Sequence, residues 1–123
     1  MRILRPASLE NEHLSVLEQP FQVRVSRARG TVVVTIRGEL DTYTAPKLQR
    51  HLKDLIEDQG NLTMALDLSE MTFIDSSGLS VLVDALKRMR ERGGSLRLSS
   101  PTRATSKVLE ISGLDKILTI TPA

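Results

Sequence analysis

Between Phe21 and Arg37 the apolar positions follow a period of two. Val23 and Val25 come first, then a polar turn over Arg27 to Gly30, then the β-branched run Thr31 to Arg37. Alternation on both sides of a short turn predicts a β-hairpin. After Gly38 the period lengthens: Ala45, Leu48, Leu52, Leu55 and Ile56 fall on one helical face, with Thr44 placed as N-cap, Pro46 in the first turn and Gly60 beyond the end. An amphipathic helix follows the hairpin. Leu62, Met64, Leu66 and Leu68 alternate again, which predicts a strand ending just before Ser69. A second helical face, Leu79, Leu82, Val83, Leu86 and Met89, runs from the cluster Asp75-Ser76-Ser77-Gly78 to the paired Gly93 and Gly94. Leu96 and Leu98 mark a short strand. Ser100 or Thr102, with Pro101, opens a third helix through Val108 and Leu109 that stops near Gly113, and Ile117 to Thr119 reads as a last short strand. The order β-β-α-β-α-β-α-β predicts an α/β fold in which a mixed sheet of about five strands carries about three helices.

The chain has 123 residues, the length of one domain. It contains no cysteine, which excludes a disulfide framework and thiolate metal sites. No apolar run approaches the roughly 20 residues that span a bilayer, and Arg2 and Arg5 are followed by Glu10, Glu12 and His13 with no apolar core for export. A cytoplasmic location without membrane contact is the expectation. Seventeen Lys and Arg against fifteen Asp and Glu leave a net charge of only +2. The densest basic stretch, Lys87, Arg88, Arg90 and Arg92, lies at a helix end, and only Phe21, Tyr43 and Phe73 are aromatic. That balance argues against a nucleic-acid partner.

In an α/β sheet, exposed chemistry gathers where strands turn into helices, and two such turns cluster carboxylates and hydroxyls. One is Gly38-Glu39-Leu40-Asp41-Thr42, the other Asp75-Ser76-Ser77-Gly78. At the second, a helix N-terminus offers unpaired amides and partial positive charge beside Ser76, suiting a hydroxyl that either caps the helix or receives a phosphate. Asp-Ser-Ser-Gly alone is also an ordinary helix start.

The longer stretch from Leu66 through Asp75, Ser76, Ser77 and Gly78 to Leu79 resembles the signature of the STAS family, particularly the bacterial anti-sigma factor antagonists. Gly38-Glu39-Leu40-Asp41, Gly93-Gly94 and Ser112-Gly113-Leu114 are similar to further pieces of the family pattern and stand in the same order. The resemblance implies a STAS domain over 20–121 preceded by an arm over 1–19. It also implies a switch protein that is no enzyme and needs no cofactor or metal. Such a protein binds an anti-sigma factor, itself a serine protein kinase, and so frees a sigma factor. Carried over, the phosphorylated residue is Ser76, and the partner-binding set is Asp41, Thr42, Asp75, Ser76, Ser77 and Gly78. A PP2C-type phosphatase would reverse the modification.

Other readings carry less of the sequence. A serine hydrolase needs an imidazole base, and neither His13 nor His51 sits in a nucleophile-elbow pattern. Asp41, Asp67 and Asp75 could hold magnesium for an aspartyl phosphorelay, yet no lysine stands at the expected late strand. Neither a P-loop nor G-x-G-x-x-G is present for a nucleotide. A non-phosphorylated STAS scaffold or a transporter-complex subunit would share the fold. Two departures from the family pattern stand out. Family members usually finish with a helix, whereas only Thr121, Pro122 and Ala123 follow Ile120 here. The leucines of the arm, Leu9, Leu14 and Leu17 with Val16, fit a short helix, an edge strand or a mobile segment, and they could cover an apolar face that otherwise invites a homodimer.

Overall fold

A computed structural model describes residues 20–61 and 63–122; the expectations for the arm lie outside the described residues. Strands β1 (Gln22–Ala28) and β2 (Thr31–Leu40) form the predicted antiparallel hairpin. Its two-residue loop, Arg29 and Gly30, has positive φ at both positions, as the turn type that matches the twist of a β-ribbon requires. Helix α1 (Ala45–Lys53) continues as a wider π-type turn over Asp54–Asp58. Then come β3 (Thr63–Asp67), β4 (Met71–Ile74), α2 (Ser76–Glu91), β5 (Ser95–Ser99), α3 (Arg103–Ser112), a 3-10 turn over Leu114–Lys116 and β6 (Thr119–Thr121).

The sheet runs β1-β2-β3-β5-β6, parallel from β2 onward. Successive parallel strands step in one direction, so right-handed crossovers lay the three helices of the described residues on the same face. The burial pattern agrees. Val32, Val34 and Ile36 of β2, Met64 and Leu66 of β3, and Leu96 and Leu98 of β5 are buried on that face; on the other, Arg37, Thr63 and Ser95 are exposed, although Thr35 and Ala65 at the centre of the sheet are buried. Leu48 and Leu52 of α1, Leu82 and Met89 of α2 and Leu109 of α3 close the same core. Arg88 of α2 ties the π-type turn down by donating to Glu57 and, within its own helix, to Asp84 at 2.7 Å. These carboxylates, Asp84 foremost, hold its guanidinium above its ordinary pKa.

Four details depart from the reading of the sequence. The pattern gave no signal for β4, which pairs with the far end of β2 after β3 has left it. Met71 and Ile74 are buried and Thr72 and Phe73 exposed, so this short strand does not alternate. The last strand is Thr119–Thr121 rather than Ile117 to Thr119, because Leu114–Lys116 first makes a helical turn. Thr44 occupies the N-cap position of α1, yet its hydroxyl does not cap the helix. On α2, Val81 and Ala85 join Leu82, Leu86 and Met89 in the core, while Leu79 and Val83 turn partly outward.

Candidate functional site

Both chemistry-bearing turns lie at one end of the sheet, joined through β2. The carbonyl of Leu40, the last residue of β2, accepts the Asp75 amide at 3.2 Å, and the Thr42 and Ser77 hydroxyls are 3.3 Å apart. The bulge at Gly38 and Glu39 makes this meeting possible. Gly38 has φ +97°, a conformation that favours glycine, and its amide donates to the Glu70 carbonyl at 3.0 Å across the gap between β3 and β4.

The first turn is built on Asp41. Its carboxylate accepts the amides of Tyr43 at 2.9 Å and Thr44 at 3.0 Å, and the Thr44 hydroxyl accepts the Asp41 amide while donating to the Glu39 carbonyl. Asp41 therefore fixes the turn that leads into α1, whose N-cap residue Thr44 makes no side-chain cap. The Thr44 amide foremost, helped by the Tyr43 amide and the Thr44 hydroxyl, holds the Asp41 carboxyl below its ordinary pKa against a desolvation, second in size to the Thr44 amide, that raises it. A depressed pKa means that the carboxylate's contribution is complete above the unfolded-state value and is lost as pH falls through the lower folded value. Asp41→Asn is expected to make stability less sensitive to pH across that acid window. Parallel acid titrations of the two proteins by circular dichroism check this, and identical curves would refute it.

The second turn is built on Asp75. In extended backbone at the N-cap of α2, its carboxylate accepts the amides of Ser77 at 2.9 Å and Gly78 at 3.1 Å. The cap is a carboxylate, so no serine hydroxyl is needed for it. Asp75→Ala is expected to lower stability by about 1 kcal/mol while Asp75→Ser retains most of it. Urea unfolding measures both, and an unchanged midpoint for the alanine variant would show that the cap contributes nothing.

Ser76 follows as the first helical residue. It is exposed, and among the described residues no group hydrogen-bonds its hydroxyl, although its carbonyl accepts from Ser80 at 3.0 Å. Ser77 is half-buried and faces Thr42, and Gly78 is buried beneath the turn. The six residues singled out in the sequence thus meet at one place. Thr44, Ser80, Leu79 and Leu114 belong to the surroundings and were not among the expected site residues. The spacing of Asp41 and Thr44, three residues apart as in a helix cap, is the signal that could have found Thr44.

Two shallow grooves flank the N-terminal turn of α2. Thr42, Pro46, Gln49, Ser77 and Ser80 line the one against α1; Ser76, Leu79, Val83, Ser112 and Leu114 line the other, against the end of α3. Tyr43 and Ile111 stand 86% and 78% exposed, and Phe73 is half-exposed. Aromatic and aliphatic groups beside a polar turn suit a protein partner. Among the described residues no group of His, Asp and Glu has the arrangement to hold a metal ion, and no helix is long and apolar enough to cross a membrane.

Comparison with known proteins matches 22–123 to the family model described as STAS domain. An anti-sigma-B factor antagonist of Bacillus subtilis is 33% identical over 100 residues, covering 81% of this chain and 90% of that protein. An anti-sigma F factor antagonist of Paenibacillus polymyxa is 29% identical over 100 residues, covering 81% and 86%. The crystal structure of an anti-sigma factor antagonist from Mycobacterium paratuberculosis superposes with a TM-score of 0.77 at 27% identity, covering 85% of this chain and 87% of that one. The relatives are named for binding regulators rather than enzymes. The expected signature, the mixed sheet with its helices on one face, and the family model together establish that this chain belongs to the STAS domain family.

Proposed function

We propose that this protein is an anti-sigma factor antagonist: unphosphorylated, it binds an anti-sigma factor that is also a serine kinase, and phosphate on Ser76 switches that binding off. The observation that carries this reading is the exposed hydroxyl of Ser76, unbonded among the described residues, on the first residue of α2, between two grooves and beside a fixed polar turn. Family membership and the relatives named as antagonists support it. Asp41, Thr42, Asp75, Ser77 and Gly78 form the rest of the docking surface. A PP2C-type phosphatase resets the switch, and the work is done in the cytoplasm, where sigma factors act.

The local electrostatics explain why a phosphate here would act on the partner and leave the fold alone. A phosphoserine carries about −1.5 to −2 charge. At many helix starts such a group is neutralised by the second and third amides. Here those amides, of Ser77 and Gly78, are already taken by Asp75. The added charge therefore stands beside an existing carboxylate, offset in part by the helix dipole, while the core below is untouched. A docked surface meets repulsion and desolvation cost.

Incubation with ATP and the anti-sigma kinases of the same cell, followed by mass spectrometry of the peptide containing Ser76, tests the modification. One phosphate on Ser76 is the expected product. Phosphate on Ser77 in its place, or none with any of these kinases, would remove the proposed switch.

A further inference from the structure

Aromatic residues are scarce in this chain: Phe21, Tyr43 and Phe73. Phe21 packs against the core, and Phe73 is half-exposed. Tyr43, in the turn that follows Asp41 and Thr42, is 86% exposed. One exposed apolar side chain is ordinary on a protein surface. What sets Tyr43 apart is how firmly its backbone is held. Its amide donates to the Asp41 carboxylate at 2.9 Å, and the amide of Thr44 donates to the same oxygen at 3.0 Å. The Thr44 hydroxyl donates to the Glu39 carbonyl at 2.7 Å, and the Ala45 amide donates to the Asp41 carbonyl at 2.8 Å. These bonds grip the chain on both sides of Tyr43, and none of them uses its ring.

The position of the turn matters as much as its rigidity. Thr42, on one side of Tyr43, faces the Ser77 hydroxyl at 3.3 Å, and Ala45 and Pro46, on the other, line the groove between α1 and α2. The ring therefore stands on a fixed turn at the margin of the surface that carries Ser76 and Ser77. Residues that anchor an interface are most often aromatic or arginine side chains that enter a pocket of the partner. A tyrosine has only two side-chain torsions to freeze, and a turn fixed before docking lowers the ordering cost. Resting on the function proposed above, we infer that Tyr43 is the anchor by which this chain docks on its anti-sigma factor, its ring entering an apolar pocket of that partner with the hydroxyl at the rim. Tyr43 belongs to the α1 side of the site, whereas the reacting hydroxyl of Ser76 starts α2. The ring adds the same binding energy before and during phosphoryl transfer, so it sets affinity and leaves the chemical step alone.

The test uses the full chain and its Tyr43→Ala, Tyr43→Asn and Tyr43→Phe variants as substrates of the purified anti-sigma kinases of the same cell. Asparagine removes the ring yet suits a turn, so a poorly folded alanine variant would not end the experiment. The expected result is a KM raised about tenfold or more by Tyr43→Ala and by Tyr43→Asn, with kcat within about twofold and Tyr43→Phe close to the unchanged protein. Thermal melts should coincide, because the ring is not part of the core. An unchanged KM for the alanine and asparagine variants of a protein that is otherwise a good substrate overturns the anchor and leaves the proposed function standing. A loss confined to kcat also overturns it, since the ring would then act on the chemical step. If no anti-sigma kinase uses the unchanged protein, the proposed function fails and the anchor with it. Tyr43 is the sole tyrosine of a chain without tryptophan, so acrylamide quenching of its fluorescence reads the exposure of the ring in the free protein. Strong quenching is expected, and a shielded ring would contradict the inference. A dimer on gel filtration that Tyr43→Ala dissolves without changing KM would assign the ring to a second copy instead.

Discussion

Ser76→Asp is expected to weaken binding to the anti-sigma factor about a hundredfold, a loss of about 3 kcal/mol, while Ser76→Ala binds as the unmodified protein does. Ser76 is exposed and contributes nothing to the core, so neither change should disturb folding. The aspartate supplies less charge than a phosphate, but it places that charge beside Asp75, whose carboxylate already occupies the two nearest free amides of the helix. A partner that packs into the flanking grooves must then desolvate two adjacent carboxylates, and each unpaired charge in an interface is costly. Isothermal calorimetry of both variants against the same partner reads the difference. Equal affinities would mean that the docking surface is elsewhere.

Gly78→Ala is expected to destabilise the domain by about 1–3 kcal/mol, the range for forcing a methyl group into a filled core. A Cβ at Gly78 would stand 2.7 Å from Leu40 Cγ and 2.8 Å from Ile74 Cγ1. Both neighbours are buried ends of the strands that carry the two functional turns, so neither can swing away into solvent. Relief requires α2 to lift from β2 and β4. That movement would also separate Ser77 from Thr42 and loosen the Asp75 amide from the Leu40 carbonyl. Loss of stability and weaker partner binding should therefore appear together, unlike the Ser76 variants, which separate them. Urea unfolding with a binding titration on the remaining folded protein checks both. Unchanged stability would show that the close approach of helix and strand ends carries no energy.

Much of this was legible before any coordinates because the period of the apolar positions is strong where one face is buried. β2, β3 and β5 alternate, the face Leu48, Leu52, Leu55 and Ile56 lies wholly in the core, and Thr102 and Gly113 mark the two ends of α3 as their residue types predict. β4 escaped because four residues pinned between a turn and a helix are buried at their two ends, which is neither period. Leu79 and Val83 obeyed the helical spacing but lie at the margin of the buried face, where spacing alone cannot separate core from groove lining. The site residues were visible as two clusters. Their meeting was not, since it depends on the bulge at Gly38 and on the parallel pairing of β4 with β2, both set by contacts distant in the chain. The turn-holding role of Asp41 and the capping role of Asp75 were likewise hidden, because serine, threonine and aspartate are all acceptable at such positions and only geometry selects among them.

The central claim is that one hydroxyl at the start of α2 controls docking through charge. The most direct measurement uses a single preparation phosphorylated enzymatically at Ser76, divided in two, with one half treated with phosphatase, and each half titrated against the anti-sigma factor. The account predicts strong binding by the dephosphorylated half and binding at least about a hundredfold weaker by the phosphorylated half, with the same melting temperature for both. Indistinguishable affinities, or weaker binding accompanied by partial unfolding of the phosphorylated half, would contradict it.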